Sequence, residues 1–343
     1  MRAIVQTGPD AVETQERDRP HAGPDEAVVR VHTAGLCGSD AHAYRYEGGY
    51  EWIKLPRIMG HEYAGEIVEV GEDVSSVAVG DKVVEEPLHE CGTCFQCRNG
   101  QENVCQEFTI AGMHVDGAYA EYRAVAARHL HPIPDDVQLG HAAITEPMSV
   151  AARAVFDRSG TTPGDTVLVE GPGPIGVLTA VIANGMGANV FVSGVDVDES
   201  YRLPLLRDLG IDTINVERDV LAEVTDERTG GIGFDVIFDT TGHHSGLEMA
   251  VEQVRKGGQI VVVGLPGEPS EVFMTPVVRG EIEVTTSYAS LWRNFEQALR
   301  LMEQDVLPIE DVIDDSPSID DPTAAFERFL AAESCKPVFR FAE

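Results

Sequence analysis

Four cysteines crowd one short stretch: Cys91-Gly-Thr-Cys94-Phe-Gln-Cys97, with Cys105 eight positions further on. Whatever this chain folds into must carry a loop that brings four thiols to one point, because that spacing lets all four surround a single ion. Zinc is the expected occupant. Four thiolates complete its tetrahedron and leave nowhere for water or substrate to bind, so the site is structural. An iron–sulfur cluster and unliganded thiols are the alternatives. Against the first, the last gap is longer than in ferredoxin-type runs and no proline follows Cys105. Disulfides come second to metal for a dense cluster in a chain expected to be cytosolic. Cys335 stands alone and reads as a small buried hydrophobe.

The chain has 343 residues, 43% of them hydrophobic, which is too long for one core and predicts two domains. Up to about residue 150 the sequence runs in short alternating stretches, such as 27–31 and 63–70, closed by Gly, Pro or Asp, as expected of many short strands. From Thr161 the pattern changes. A strand at Thr166–Glu170, a glycine-rich turn, an apolar helix at 177–186 and a strand at 190–193 make a βαβ unit. Strand-like runs at 235–239, 259–263 and 283–286, separated by helix-compatible segments such as 246–254, extend it to an α/β doubly wound parallel sheet. Pro204 falls in the second crossover helix, which is expected to start late or kink there.

No apolar run approaches the roughly 18 residues of a membrane span, and MRAIVQTG enters strand-like sequence without a signal-peptide pattern, so a cytoplasmic protein is expected. Asp and Glu number 58 against 25 Lys and Arg, a formal net charge of -33, and the only lysines are Lys54, Lys82, Lys256 and Lys336. Self-repulsion on that scale argues against nucleic acid or an anionic membrane as partner. It also suggests a fold adapted to a salt-rich cytoplasm, the plainer alternative being an acidic, soluble surface. The acids are scattered rather than gathered in a tail.

A second set of ligand types is distributed along the chain: Cys37-Gly-Ser39-Asp40-Ala-His42, Gly60-His61-Glu62 and Thr145-Glu146-Pro147. A thiolate, an imidazole and one carboxylate leave a fourth position open, the arrangement of a catalytic zinc. Singly these signals are weak, since a lone histidine is commonly structural and a glutamate before proline commonly starts a helix. Gly171-Pro-Gly173-Pro174-Ile175-Gly176 directly follows a strand and opens a helix, so backbone amides and the helix N-terminus are placed to hold a pyrophosphate.

Taken together, Cys-Gly-Ser-Asp at 37–40, Gly-His-Glu at 60–62, the thiol lobe at 91–105, Asp-Gly-Ala-Tyr-Ala-Glu-Tyr at 116–122, Glu-Pro-Met-Ser-Val at 146–150 and the glycine turn at 171–176 resemble the zinc-dependent medium-chain alcohol dehydrogenase family, in the branch of sorbitol and threonine dehydrogenases. The likeness spans nearly the whole chain. It implies a GroES-like β-barrel catalytic domain over 1–150, completed by 286–343, and a Rossmann dinucleotide-binding domain over 151–285. It implies two zinc ions per chain, a small-molecule alcohol substrate and a homo-oligomer, dimer or tetramer. By the same resemblance Cys37 and His61 are ligands of the catalytic zinc. Glu62 and Glu146 share the remaining carboxylate role, with Asp40 fixing the His61 tautomer from behind. Ser39 and His42 are implied as a proton relay from the buried hydroxyl to solvent. A carboxylate at Glu146, where other members have cysteine, points to polyols or amino alcohols. Ser287 and Tyr288 stand where sorbitol dehydrogenases place an arginine, which weighs against a sorbitol-like polyol. Tyr50, Trp52, His114 and Trp292 are candidate pocket residues.

Cofactor choice is less sharply written. The second strand ends Ser193-Gly194-Val195-Asp196; by strand length Gly194 occupies the ribose-binding position, by distance from Gly176 Asp196 does. No arginine follows at once, so NAD is expected, with NADP as the alternative and Arg202 in reach only if the loop folds back. The expected activity is hydride transfer between a secondary hydroxyl and NAD or NADP. The rivals are a catalytically inactive, zinc-stabilised binding protein of the same fold and a zinc-free quinone reductase; intact Cys37, His61, Ser39 and His42 speak against the first, the thiol lobe against the second. The charge generates a prediction of its own. The thermal midpoint should rise steadily from low to molar salt, and a midpoint unchanged across that range would refute salt adaptation.

Overall fold

A computed structural model describes residues 1–305 and 308–341. The segment expected to complete the barrel, 286–343, therefore includes four positions (306, 307, 342 and 343) outside the described residues. The N-terminal half is antiparallel. A curled sheet runs in the order Leu130–Pro132, Lys82–Glu85, Glu62–Val70, Glu26–Gly35, Lys336–Arg340, Ile313–Asp314, with Tyr122–Ala126 added on the Glu26–Gly35 strand. A smaller sheet of Arg2–Gly8, Ala11–Glu16 and Arg57–Ile58 flanks it. Inward-facing Val29, Val31, Ile67, Val83 and Phe339 form one continuous core with Tyr63 and Phe326.

The Lys336–Arg340 strand returns from the far end of the chain to pair with Thr33, Ala34 and Gly35. Between departure and return lies a six-stranded, wholly parallel sheet in the order Asp212–Asn215, Asn189–Gly194, Thr166–Glu170, Phe234–Asp239, Val254–Val262, Glu283–Thr286. The order reverses at Thr166–Glu170, the switch point where ligands bind in open α/β sheets. Its central strands are apolar on both faces, as sheets covered by helices on both sides require: Val167 and Val169 face one core, Leu168 the other.

Local differences from the sequence expectation have physical causes. The crossover helix starts at Pro174 rather than 177, because proline is preorganised for a first helical position and Gly173 caps it. The next helix, Arg202–Asp208, starts late: a 3-10 turn at Asp196–Ser200 precedes it, leaving Pro204 within its first turn. The strand expected at 259–263 begins at Val254, with a register shift near Gly257, whose φ is +68°.

Two helices join the halves. Thr145–Ala152 packs Met148, Ala151 and Ala152 against Val177 and Leu178 of the glycine-turn helix and against Trp292–Glu303, whose Phe295, Ala298, Leu299 and Met302 repeat at helical spacing. Burying a side chain the size of Phe295 contributes about 1.5–3 kcal/mol. Just before the thiol lobe lies a buried ion pair. Arg123 Nε and Nη2 donate to Glu85 Oε2 and Oε1 at 3.1 and 3.0 Å, and His89 Nε2 lies 2.7 Å from Glu85 Oε1. Burial alone would raise the Glu85 carboxyl; Arg123 and His89 overcome it and hold it well below the usual carboxylate range. Such a depressed group stabilises the fold above the unfolded carboxylate's pKa of about 4.3 and loses that contribution as pH falls through the folded value. Arg123→Met, which strands Glu85 without its cation, should cost about 3–5 kcal/mol in chemical denaturation at neutral pH. A loss below about 1 kcal/mol would show that the pair is dispensable.

Candidate active site

The thiol lobe is closed by a short hairpin, Leu88–His89 against Thr109–Ile110, and by single turns at Phe95–Arg98 and Glu102–Val104. The four cysteine sulfurs lie within 4.8 Å of one another. Cys94 Sγ is 3.4 Å from Cys97 Sγ and 3.8 Å from Cys105 Sγ. A zinc tetrahedron with bonds of about 2.3 Å has sulfur–sulfur edges of about 3.8 Å, so the four fit that ion. Backbone amides of Cys91, Cys94 and Glu107 point at sulfurs from 3.3–3.4 Å. The Thr93 amide and hydroxyl bring the Cys91 thiol down to about 6, whereas burial first and then the neighbouring thiols push Cys97 up to about 12.

The second site is built at the opening of a helix. Cys37 is the N-cap of Gly38–Arg45, and Asp40 three residues on accepts the Cys37 amide through Oδ2 at 3.1 Å. His61 and Glu62 sit where the Glu62–Val70 strand begins, both buried. Gly60 sets their entry: its φ is +88°, and a Cβ there would meet the Tyr119 ring at 2.1 Å, so only glycine is accommodated. Cys37 Sγ, a His61 ring nitrogen and a Glu62 oxygen all lie within 4.8 Å of one another. Three donors of three kinds with a fourth position open suit a catalytic zinc. Asp40 Oδ1 faces His61 Nδ1 at 3.4 Å, which turns Nε2 toward the metal position. Glu62 Oε1 has no hydrogen-bond partner among the described residues, as expected of an oxygen reserved for a cation.

Glu146 falls outside that three-residue set. It lies in the first turn of Thr145–Ala152, where a glutamate before proline commonly stands, and its side chain does not cap that helix. Burial and then the Glu62 charge push its carboxyl up to about 7. It lines a cavity of about 420 Å³ together with Asn103, Ser290, Leu291 and Trp292. Ser39 is half-buried beside Cys37; His42, one helical turn on, is exposed and stacks on Tyr50 at 6.1 Å. Burial and the nearby Cys37 push the Tyr50 hydroxyl up to about 12. Trp52 packs on His114 at 4.3 Å, and Trp292 on the buried His131 at 3.6 Å.

Two residues escaped the sequence reading. Tyr119 donates its hydroxyl to Asp40 Oδ2 at 2.8 Å, completing the support behind His61. Lys336 is buried, pairs with Glu62 and donates to the Leu36 carbonyl at 3.0 Å. Tyr119 lay inside a quoted motif. Lys336 carried only one signal, a lysine among apolar residues in a chain with almost none.

At the glycine turn, Gly171 has φ +92°. A Cβ at Gly176 would meet the Gly171 carbonyl oxygen at 1.9 Å, while one at Gly173 would meet nothing within 4 Å. The turn is thus closed on the protein side and open on the other. The helix Pro174–Gly185 has no side-chain cap, so the amides of its first turn, at Ile175 and Gly176, remain for an anion such as a pyrophosphate. Gly194 ends its strand without space for a larger side chain, with Pro172 and Leu203 each 3.0 Å from a Cβ there. Asp196 is exposed and engaged by Asn215 and Arg218. Arg202 donates to the Ser334 and Phe329 carbonyls, which commits it to the C-terminal segment instead of a folded-back cofactor loop.

Residues 23–135 match the family model of the alcohol dehydrogenase GroES-like domain, and 174–304 that of zinc-binding dehydrogenases. The chain is 33% identical to a sorbitol dehydrogenase of Halalkalibacterium halodurans, covering 98% of each chain. It is 35% identical to an L-threonine 3-dehydrogenase of Pyrococcus abyssi, covering 99% of this chain and 98% of that one. Among solved structures, the short chain alcohol dehydrogenase RspB of E. coli CFT073, complexed with NADH, superposes with a TM-score of 0.90 at 32% identity over 99% of both chains. No helix among the described residues is long and apolar enough to cross a membrane.

The lobe and the open site predict two equivalents of zinc by metal analysis. Cys94→Ser should retain one, melt earlier and keep its turnover per folded molecule, because a closed site supports folding rather than chemistry. Iron in place of zinc, or one equivalent in the unaltered protein, would contradict this assignment. With a thiol lobe, a Cys/His/carboxylate centre, a pyrophosphate turn and full-length kinship in agreement, the chain belongs to the zinc-dependent medium-chain alcohol dehydrogenases, in their sorbitol and threonine dehydrogenase branch, as an NAD(P)-dependent oxidoreductase acting on CH–OH groups.

Proposed function

We propose that the substrate is a polyol, sugar or hydroxy-amino acid carrying a secondary hydroxyl, from which the chain passes hydride to the dinucleotide. The observation that carries this reading is the three-donor set Cys37, His61 and Glu62, a thiolate, an imidazole and a carboxylate whose ligand atoms lie within 4.8 Å of one another. Residues 1–150 with 286–343 act as the catalytic part and 151–285 as the dinucleotide-binding part, in a cytoplasmic homo-oligomer. When bound, zinc supplies the Lewis acidity that lets a hydroxyl ionise near neutral pH, and the dinucleotide takes the hydride.

The chain's own residues do the rest. Asp40, held by Tyr119 and the Cys37 amide, keeps the His61 ring in the orientation and tautomer a metal needs. Ser39 takes the proton in its half-buried place and His42 carries it to solvent, a direction that matches the rise in exposure along the helix. Glu146, carboxyl poised near neutrality, orients the substrate's polar groups or a water at the cavity end. Buried Ser287 and half-buried Tyr288, in place of an arginine, favour a substrate other than sorbitol. An inactive binding protein of this fold has no need to keep these groups together.

A screen of polyols, sugars, hydroxy-amino acids and simple secondary alcohols with both cofactors tests the substrate class, and turnover of simple alcohols alone would refute it. Glu146→Ala should lower kcat or zinc affinity by about 10- to 100-fold while leaving the melting midpoint nearly unchanged. A zinc-replete variant with near-normal kcat would remove Glu146 from the site.

A further inference from the structure

The choice between NAD and NADP is made at the adenosine ribose, which in this architecture lies over the end of the Asn189–Gly194 strand. This inference rests on the dinucleotide reading above. At that strand end Gly194 offers no side chain. A Cβ there would lie 3.0 Å from Pro172 and Leu203 and 3.1 Å from Asp198 Oδ2, so the position cannot be filled without moving them. Recognition passes to the residues beyond it. Asp196 Oδ1 accepts from Asn215 Nδ2 at 2.9 Å and from Arg218 Nε at 2.5 Å.

The sheet itself holds this pair beside the glycine turn. Asn215 is in register with Gly194, and the Val216 amide donates to the Gly194 carbonyl at 3.0 Å. Other charges nearby are already engaged. Arg207 forks onto both oxygens of Glu199 at 2.9 Å, and Arg202 is committed to the Ser334 and Phe329 carbonyls. Glu217 accepts the Asp196 amide, Asp219 the Asn215 amide and Asp198 the Val195 amide. The neighbourhood is therefore acidic, and a 2′-phosphate there needs a cation of its own. Arg218 alone among these groups is half engaged. Its Nε is on Asp196, while neither Nη has a hydrogen-bond partner among the described residues, and its side chain is 58% exposed.

We propose that Arg218 decides cofactor choice: its Nε neutralises Asp196 while its free Nη atoms receive a 2′-phosphate, so the chain accepts NADP as well as NAD. A guanidinium suits this double task because its donors fan out in one plane and bind phosphate through two parallel hydrogen bonds. Asp196 keeps the complementary role, accepting a ribose 2′-hydroxyl when no phosphate is present. The two residues thus act as alternative partners for two forms of one ribose.

The test is direct binding of NADH and NADPH, followed by nucleotide fluorescence, to the zinc-loaded protein, to Arg218→Ala and to Asp196→Ala at one fixed salt concentration. The unaltered protein should bind both nucleotides within about tenfold of each other. Arg218→Ala should weaken NADPH by about 10- to 100-fold, the range of a lost charged hydrogen bond, and NADH by less than about threefold. Asp196→Ala should weaken NADH and spare NADPH. Competition by 2′,5′-ADP, but not by 5′-AMP, should weaken in Arg218→Ala, which isolates the phosphate from the rest of the nucleotide. An NADPH to NADH ratio unchanged by Arg218→Ala, or an unaltered protein that binds only one of the two, overturns the proposal and leaves the dehydrogenase reading standing. A protein that binds neither overturns both.

Discussion

Everything at the catalytic end hangs on one buried charge pair, Lys336 with Glu62. Both side chains are almost wholly removed from solvent, and each alone would be intolerable there. Burial by itself would drive the lysine toward its neutral form; the charges of Glu62 and Cys37 reverse that and raise its pKa. The same lysine donates to the Leu36 carbonyl next to Cys37. One cation therefore ties the last strand of the chain to both the thiolate and the carboxylate of the open site, after an excursion through the whole parallel sheet.

Charge balance explains why the site tolerates so many acids. Cys37, Asp40, Glu62 and Glu146 gather around His61, with Lys336 the cation among them. Without further compensation they repel, and the Glu62 charge adds to burial in raising the Glu146 carboxyl. A dication at the open position relieves that repulsion.

Much of this was legible in the residues. The thiol spacing dictated the lobe, because four sulfurs cannot converge on an ion from many other patterns. The strand, glycine turn and helix at 166–186 were readable because each glycine answers a local steric demand, as the clash at Gly176 makes plain. What was not legible depended on distant partners. Nothing near position 336 says that its lysine will meet Glu62, and nothing near Asp196 says that Arg218, from the next strand's exit, will occupy it. Arg202 looked like the reachable cation by sequence distance, yet carbonyls from the C-terminal segment hold it. Sequence reports local geometry well and reports who faces whom across a sheet poorly, since register is decided by the whole core.

The return of the Lys336–Arg340 strand also has a bearing on time. Lys336 is joined to the chain 300 residues after Leu36, whose carbonyl it must bind. At synthesis rates of about 5–20 residues per second, the early strands wait roughly 15–60 s for their partner. During that interval the edge of Glu26–Gly35 that Val338 and Phe339 later cover stands open, and Glu62 is without its cation. The parallel sheet, made in between, has all of its own strands and can consolidate first. A chain held up late in synthesis would then carry every strand of the parallel sheet beside a centre that still lacks Lys336.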